Sequence, residues 1–295
     1  MNSSLFHELE FTYMNEAPVP RVKSAERAID ILSLLAGRVE GLTLLEIGAE
    51  LGLAKSSVFG LMATLLDRKV VRLTPRDGRS VYQLDHRIFE IGQAYAQTTD
   101  LLGDGLLAVQ ELSVSSGETA HLAVLDGNEV VYLAKHESAH AVRMVSAVGR
   151  RLSAHGSGVG KVLLAGLSDE EVTHRFGSPN AMPTLTARTV TDIPTLLAHL
   201  TTVRARGFAT EREESTEGVA CVAAPVYDAT GMVAAVSLAI PVGRFPETNE
   251  PEIAQRVRAA AGALSVRLGA GQYPHRITPT VVPVRAVTVA STGRS

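Results

Sequence analysis

Leu42 to Arg68 reads LTLLEIGAELGLAKSSVFGLMATLLDR, and its punctuation predicts two short helices joined by a tight turn. Thr43 followed by Glu46 is a capping-box pattern, in which each side chain satisfies the other residue's backbone amide, so a helix is expected to start at Leu44. Leu44, Leu45, Ile47 and Leu51 form its expected buried stripe. Gly52 suits the positive φ of a sharp turn. Beyond it Val58, Leu61, Met62, Leu65 and Leu66 recur at helical spacing and leave Lys55, Ser56, Ser57, Gly60 and Thr64 on other faces. Upstream, Ser24 to Leu35 predicts a first helix with Ala28, Ile29, Ile31, Leu32 and Leu35 inward. Three short helices on one core, the last two joined by about four residues, make a helix-turn-helix.

The next stretch, VVRLTPRDGRSVYQLD over residues 70–85, holds two strand-like runs. Val70, Val71 and Leu73 form one; Val81, Tyr82 and Leu84 form the other. The Asp77-Gly78 pair between them signals a hairpin turn. A hairpin with a basic tip directly after a helix-turn-helix is a wing, and Lys69, Arg72, Arg76 and Arg79 are placed to reach phosphates. The order of cap, turn, helix and basic wing favours duplex DNA over a protein partner as the ligand of this segment.

The length of 295 residues suits two domains, and an apolar fraction of 45% suffices for packed cores. The net charge of −3 is unevenly spread: Val22 to Arg87 carries 10 Lys and Arg against 8 Asp and Glu, or +2, which leaves −5 for the remainder. Affinity for DNA comes from local cations displacing counterions, so distribution outweighs the total. The lone cysteine, Cys221, excludes a disulfide framework within the chain and fits a reducing cytosol. Glu8, Glu10 and Glu16, with no basic stretch before an apolar run, argue against a secretory signal. No apolar run reaches the roughly 18 to 20 residues of a bilayer span, so a cytoplasmic protein without a membrane partner is expected.

Along the chain the expected order is a flexible arm over residues 1–21, a winged helical unit over 22–85 and a helical linker over 86–116. An effector-binding domain over 117–268 and a disordered, proline-bearing tail over 269–295 follow. Thr119 to Leu125 and Glu129 to Ala134 read as strands about the Asp126-Gly127-Asn128 turn, and Val142 to Val145 as another. Phe208 to Glu211, Val219 to Tyr227 and Met232 to Ile240 read as strands, and Gly160 to Leu167, Thr191 to Arg206 and Ile253 to Leu268 as helices. Hairpin-linked strands with helices at both ends predict an α+β domain on an antiparallel sheet.

Three segments in order carry a family resemblance. SAERAIDILSLLA with LTLLEIGAELGLAKSSVFGLMATLL is similar to the winged helix-turn-helix of the isocitrate lyase regulator (IclR) family of bacterial transcription factors. ETAHLAVLDGNEVVYLAKHES, then VGRRLSAHGSGVGKVLLA, resembles the start of that family's effector domain. GFATEREESTEGVACVAAPVYDATGMVAAVSLAIP resembles its signature around a pocket cysteine. Together they span about Val22 to Leu268. The resemblance implies a GAF-like effector domain and a ligand-responsive regulator, a repressor by expectation, that binds operator DNA as a homodimer or dimer of dimers. It implies a small organic acid or aromatic acyl effector, lined by Leu152, Gly158, Val159, Glu211, Cys221 and Ser237, and no cofactor or metal. It places DNA contacts at Lys55, Ser56, Ser57 and Thr64, with Arg72, Arg76 and Arg79 on the wing. Two departures stand out: Ala239 occupies a position that is often polar in the family, and Gly60 one that is commonly arginine. Base reading then shifts toward Lys55, Ser56, Ser57, Thr64 and the wing.

Independently of the family, Gly156, Gly158 and Gly160 allow backbone amides to converge on an anion at a helix start. Several enzyme-like patterns are set aside. His136-Glu137-Ser138-Ala139-His140 matches H-E-x-x-H but lies between strand-like runs, whereas a zinc site needs both histidines on one helix. GSGVGK lacks the Ser or Thr of a phosphate loop, because Val162 follows Lys161. Glu211, Glu213, Glu214 and Glu217 read as a solvated loop beside a pocket. Two alternatives stay open at this point. One is a cytosolic enzyme using Cys221, with His155 as base; the other is an architectural DNA-binding protein with no ligand.

Overall fold

The computed structural model describes residues 21–97, 100–141, 146–245 and 249–279, and the chain divides after Gln97 into two units. In the first, α1 (Lys23–Ala36), α2 (Leu44–Leu51) and α3 (Lys55–Asp67) enclose a core of Ile31, Leu35, Ile47, Val58, Met62, Leu65, Val70 and Val71. The capping box at the start of α2 is complete: the Glu46 amide donates to Thr43 Oγ1, and the Thr43 amide donates to Glu46 Oε2 at 2.7 Å. Gly52 closes α2 at φ 62°, and α2 and α3 meet at 117°. That angle is the helix-turn-helix arrangement. Two inward assignments are corrected. Ile29 and Leu45 are 62% and 67% exposed, because each lies two residues before a core isoleucine and therefore about 200° round the helix from it.

β1 (Val71–Arg76) and β2 (Arg79–Leu84) pair antiparallel from Val71 with Leu84 to Arg76 with Arg79. Asp77 and Gly78 both have positive φ, 47° and 73°, the two-residue turn that matches strand twist. Leu42 pairs with Tyr82, which ties the segment before α2 to the hairpin. α4 (His86–Gln97) follows, and its Ile88 packs on the same core.

The second unit opens with α5 (Asp100–Ser116). Residues 86–116 were expected to form a linker, but Ala108, Val109 and Leu112 of α5 are core residues of this unit. The strands are β3 (Thr119–Asp126), β4 (Glu129–His136), β5 (Arg151–Ser153), β6 (Ala209–Arg212), β7 (Val219–Tyr227) and β8 (Met232–Pro241). They form one antiparallel sheet in the order β5-β4-β3-β8-β7-β6. The strand expected at Val142 to Val145 lies outside the described residues.

Both faces of the sheet are covered. α5 and α9 (Glu250–Arg267) pack on Ala120, Leu122, Val222, Val236 and Leu238. α6 (Gly158–Ala165), α7 (Asp169–Phe176) and α8 (Ile193–Arg206) pack on Ala123, Tyr132, Ala223 and Ala235. Central strands clad on two sides need near-continuous apolar sequence, and this is the composition of β7 and β8. The tail assignment is corrected within the described residues: Ile277 is buried, its amide donates to Arg204 O at 3.0 Å, and Tyr273 Oη donates to Pro225 O.

Candidate functional site

The exposed face of α3, where the sequence places DNA contacts, follows from the helix's amphipathicity. Val58, Met62 and Leu65 are buried, which turns Ser56, Phe59, Gly60 and Ala63 outward in one i, i+3, i+4, i+7 stripe. Lys55 and Thr64 flank it and are exposed; Ser57 is half-buried. The Thr64 hydroxyl donates to Gly60 O at 3.1 Å, leaving its lone pairs to accept. On the wing Arg72, Arg76 and Arg79 are exposed. Arg76 donates to Glu40 O at 3.2 Å and pairs with its carboxylate, and Arg79 lies 3.9 Å from Glu46. These two arginines therefore exchange a carboxylate for a phosphate if they touch DNA. Phe59, 65% exposed, escaped the sequence reading, although its spacing from Ser56 and Gly60 was the available signal.

In the second unit the ladder aligns two rows of side chains on the face under α6. Directly opposed residues share a face, and one row runs Glu211, Cys221, Ala239, Thr119. The adjacent row runs Ala209, Ala223, Ser237, His121. α6 begins over the first row. Ser157 caps it by accepting the Gly160 amide at 3.1 Å, and a Cβ on Gly160 would lie 2.1 Å from Ala154 O, so only glycine fits there. The Gly160 amide is thus spent on the cap, and Gly158 and Val159 aim their amides at the Cys221 sulfur.

The electrostatics follow from burial. Cys221 is buried; its thiol is pushed up to about 12 by burial and the neighbouring Glu211, with the Ser237 hydroxyl and the Gly158 and Val159 amides pulling the other way. A thiol held neutral in this way is a poor nucleophile. Burial likewise pushes Glu211 up to about 7, although its Oε2 accepts the Glu214 amide at 2.9 Å and its Oε1 accepts Ser215 Oγ at 3.2 Å.

Gly158, Val159, Glu211, Cys221 and Ser237 thus converge, while Leu152 stands on β5, at the opposite edge of the sheet from Glu211. The solvated-loop reading of the glutamates is corrected: Glu211 and Glu214 are buried, and Glu214 pairs with the buried Lys161. Lys161, Glu214 and His121 were missed because their partners lie far along the chain; the alternation of His121 with Ala123 was the available signal. An open cavity of about 600 Å3 lies beside Glu211, lined by Arg188, Arg206, Thr210, Arg212, Glu214 and Glu250. The H-E-x-x-H segment leaves the end of β4 as a connection, with Ser138 Oγ donating to Gly117 O at 2.6 Å. No group of three or more His, Cys, Asp or Glu able to hold a metal ion occurs among the described residues.

A helix-turn-helix with an exposed second helix and a basic hairpin, followed by a separate sheet unit with a converging polar site, defines a DNA-binding regulator with a sensory module. Comparison with known proteins fixes which kind. Residues 24–75 match the IclR helix-turn-helix domain and residues 93–266 the C-terminal domain of bacterial IclR transcriptional regulators, so the chain belongs to the IclR family. It is 33% identical over 255 residues to the transcriptional regulator KdgR of Dickeya chrysanthemi, covering 86% of this chain and 82% of that one. It is 36% identical over 255 residues to the glycerol operon regulatory protein of Streptomyces griseus, covering 85% and 98%. Its fold matches an IclR homolog of Microbacterium hydrocarbonoxydans crystallised with 4-hydroxybenzoate, at TM-score 0.73, 23% identity and 83% and 98% coverage. The chain is a transcriptional regulator and not an enzyme, which overturns the alternative built on Cys221 and His155.

Proposed function

We propose that the chain acts in the cytosol as a repressor, a homodimer or a dimer of dimers on near-palindromic operator DNA, released or tightened by a small organic acid or aromatic acyl effector. Lys55, Ser56, Ser57 and Thr64 read the major groove, and Arg72, Arg76 and Arg79 hold phosphates. A +2 unit is only mildly basic, and pairing two of them on successive half-sites supplies both affinity and register. The observation that carries the effector half is the convergence of the Gly158 and Val159 amides with Glu211, Cys221 and Ser237 on one buried spot. Leu152 is assigned to the apolar rim. The effector changes occupancy only through unequal affinity for the DNA-competent and DNA-incompetent arrangements.

The test is a mobility-shift titration on the promoter beside the protein's own gene, at several salt concentrations, with and without a panel of small acids that includes 4-hydroxybenzoate. Site-preferring, salt-sensitive binding that one acid shifts is the expected result, together with a dimeric or tetrameric mass by light scattering. A monomeric mass, or affinity indifferent to every acid, contradicts the reading.

A further inference from the structure

The row that ends in Ser237 and His121 carries an unexplained deficit. Both residues are 1% exposed, and they are direct cross-strand partners on β8 and β3. His121 Nδ1 lacks a hydrogen-bond partner, and Ser237 Oγ has none but the weakly hydrogen-bonding Cys221 thiol beside it. Buried polar atoms are nearly always satisfied, so these two under-served groups on adjacent side chains call for one external group that serves both. The His121 ring is otherwise fixed. It stacks on Tyr132 with centroids 4.5 Å apart, and its Nε2 lies 2.7 Å from Ser146 Oγ. Only Nδ1 is left to offer.

We propose that His121 and Ser237 together form the specificity-determining end of the effector site and recognise a hydroxyl group on a small carboxylic acid. This rests on the reading that the α6 face of the sheet holds the effector. A hydroxyl both donates and accepts, so it satisfies an imidazole nitrogen and a serine hydroxyl at once. A carboxylate at this end would want a compensating cation. The ammonium beside the ring, Lys135, already donates to Ser146 O and pairs with Glu137. The imidazole itself is held neutral by burial and by that ammonium, so it meets a neutral group better than an anion. The carboxylate of the same ligand belongs at the start of α6, near the amides of Gly158 and Val159.

Matched pairs differing by hydroxyls test this on the full chain: 4-hydroxybenzoate with benzoate, lactate with propionate, gluconate with hexanoate. Thermal shift and calorimetric titration are run on wild type, His121→Phe, which keeps a ring against Tyr132, and the milder Ser237→Ala. At least one hydroxylated member should bind about tenfold tighter than its partner, the equivalent of one hydrogen bond. That preference should vanish in His121→Phe and shrink in Ser237→Ala. Equal affinity within every pair, or a preference that survives Ser237→Ala and any folded His121 variant, overturns the assignment and leaves the effector reading standing. If no acid binds at all, the effector reading fails first.

Discussion

Lys161 Nζ lies 2.5 Å from Glu214 Oε1, with the two side chains 2% and 12% exposed, and the same ammonium sits 3.2 Å from His199 Nδ1. This buried pair fastens α6, whose first amides face Cys221, to the loop after β6, which holds Glu211. Removing one partner strands the other charge in a dry place. Lys161→Met should therefore cost about 3–5 kcal/mol of stability, read from urea unfolding. Adding Glu214→Gln should return a good part of the loss. A single substitution costing under about 1 kcal/mol would show that the pair is open to water.

Glu211 and His121 should give pH dependences of opposite sign. Burial raises the Glu211 carboxyl from 4.5 to about 7, so between those values the folded chain keeps a proton that the unfolded chain has released. Its stability contribution is present below about pH 4.5 and lost as pH rises to about 7, a change of about 3 kcal/mol. Burial, and then the Lys135 charge, lower His121 from 6.5 to about 3. That contribution is present above about pH 6.5 and lost on acidification, by about 5 kcal/mol at full extent. Relative to wild type, Glu211→Gln should gain stability as pH climbs from 5 to 7, and His121→Phe should gain as pH falls from 6.5. Stability curves for the variants that run parallel to wild type would refute both environments.

The same substitution should have opposite effects in two helices. A Cβ on Gly60 meets nothing within 4 Å, so Gly60→Ala should stabilise α3 by about 1 kcal/mol through backbone entropy alone. At Gly160 the Cβ would sit 2.1 Å from Ala154 O and 2.4 Å from Ala154 Cα, which only a backbone shift can relieve. Gly160→Ala should destabilise by about 2 kcal/mol or more. Thermal unfolding followed by circular dichroism distinguishes a rise from a fall.

These sites also mark where local reading reaches its limit. Thr43 with Glu46, Gly52 and Asp77-Gly78 each act over a few residues, and the structure forms the box and both turns that they predict. Ile29 and Leu45 were misassigned because apolar residues two apart on a helix cannot share a face. Glu214 looked like one more charge in an acidic loop, since its partner Lys161 is 53 residues away and only the fold brings them together. The glycine-serine loop and the strand cysteine were visible as a group through motif. His121 was not: its alternation with Ala123 marks only the face it lies on, and a missing hydrogen-bond partner has no sequence signature.

The outer stripe of α3 pairs a large exposed ring, Phe59, with Gly60, a position that has open space around it. In a major groove an apolar side chain reads the thymine methyl, whereas arginine reads guanine. Phe59→Ala should therefore weaken discrimination for one T·A pair in each half-site by about tenfold, measured by selection from a random duplex library. It should leave the salt dependence of binding unchanged, because no phosphate contact is lost. Arg72→Ala, on the wing, should do the converse, lowering affinity for all sequences and reducing the salt slope by about 1. Gly60→Arg should add a preference for guanine. If Phe59→Ala alters the salt slope and spares the sequence preference, the ring packs against the DNA backbone and α3 reads bases through its polar flank alone.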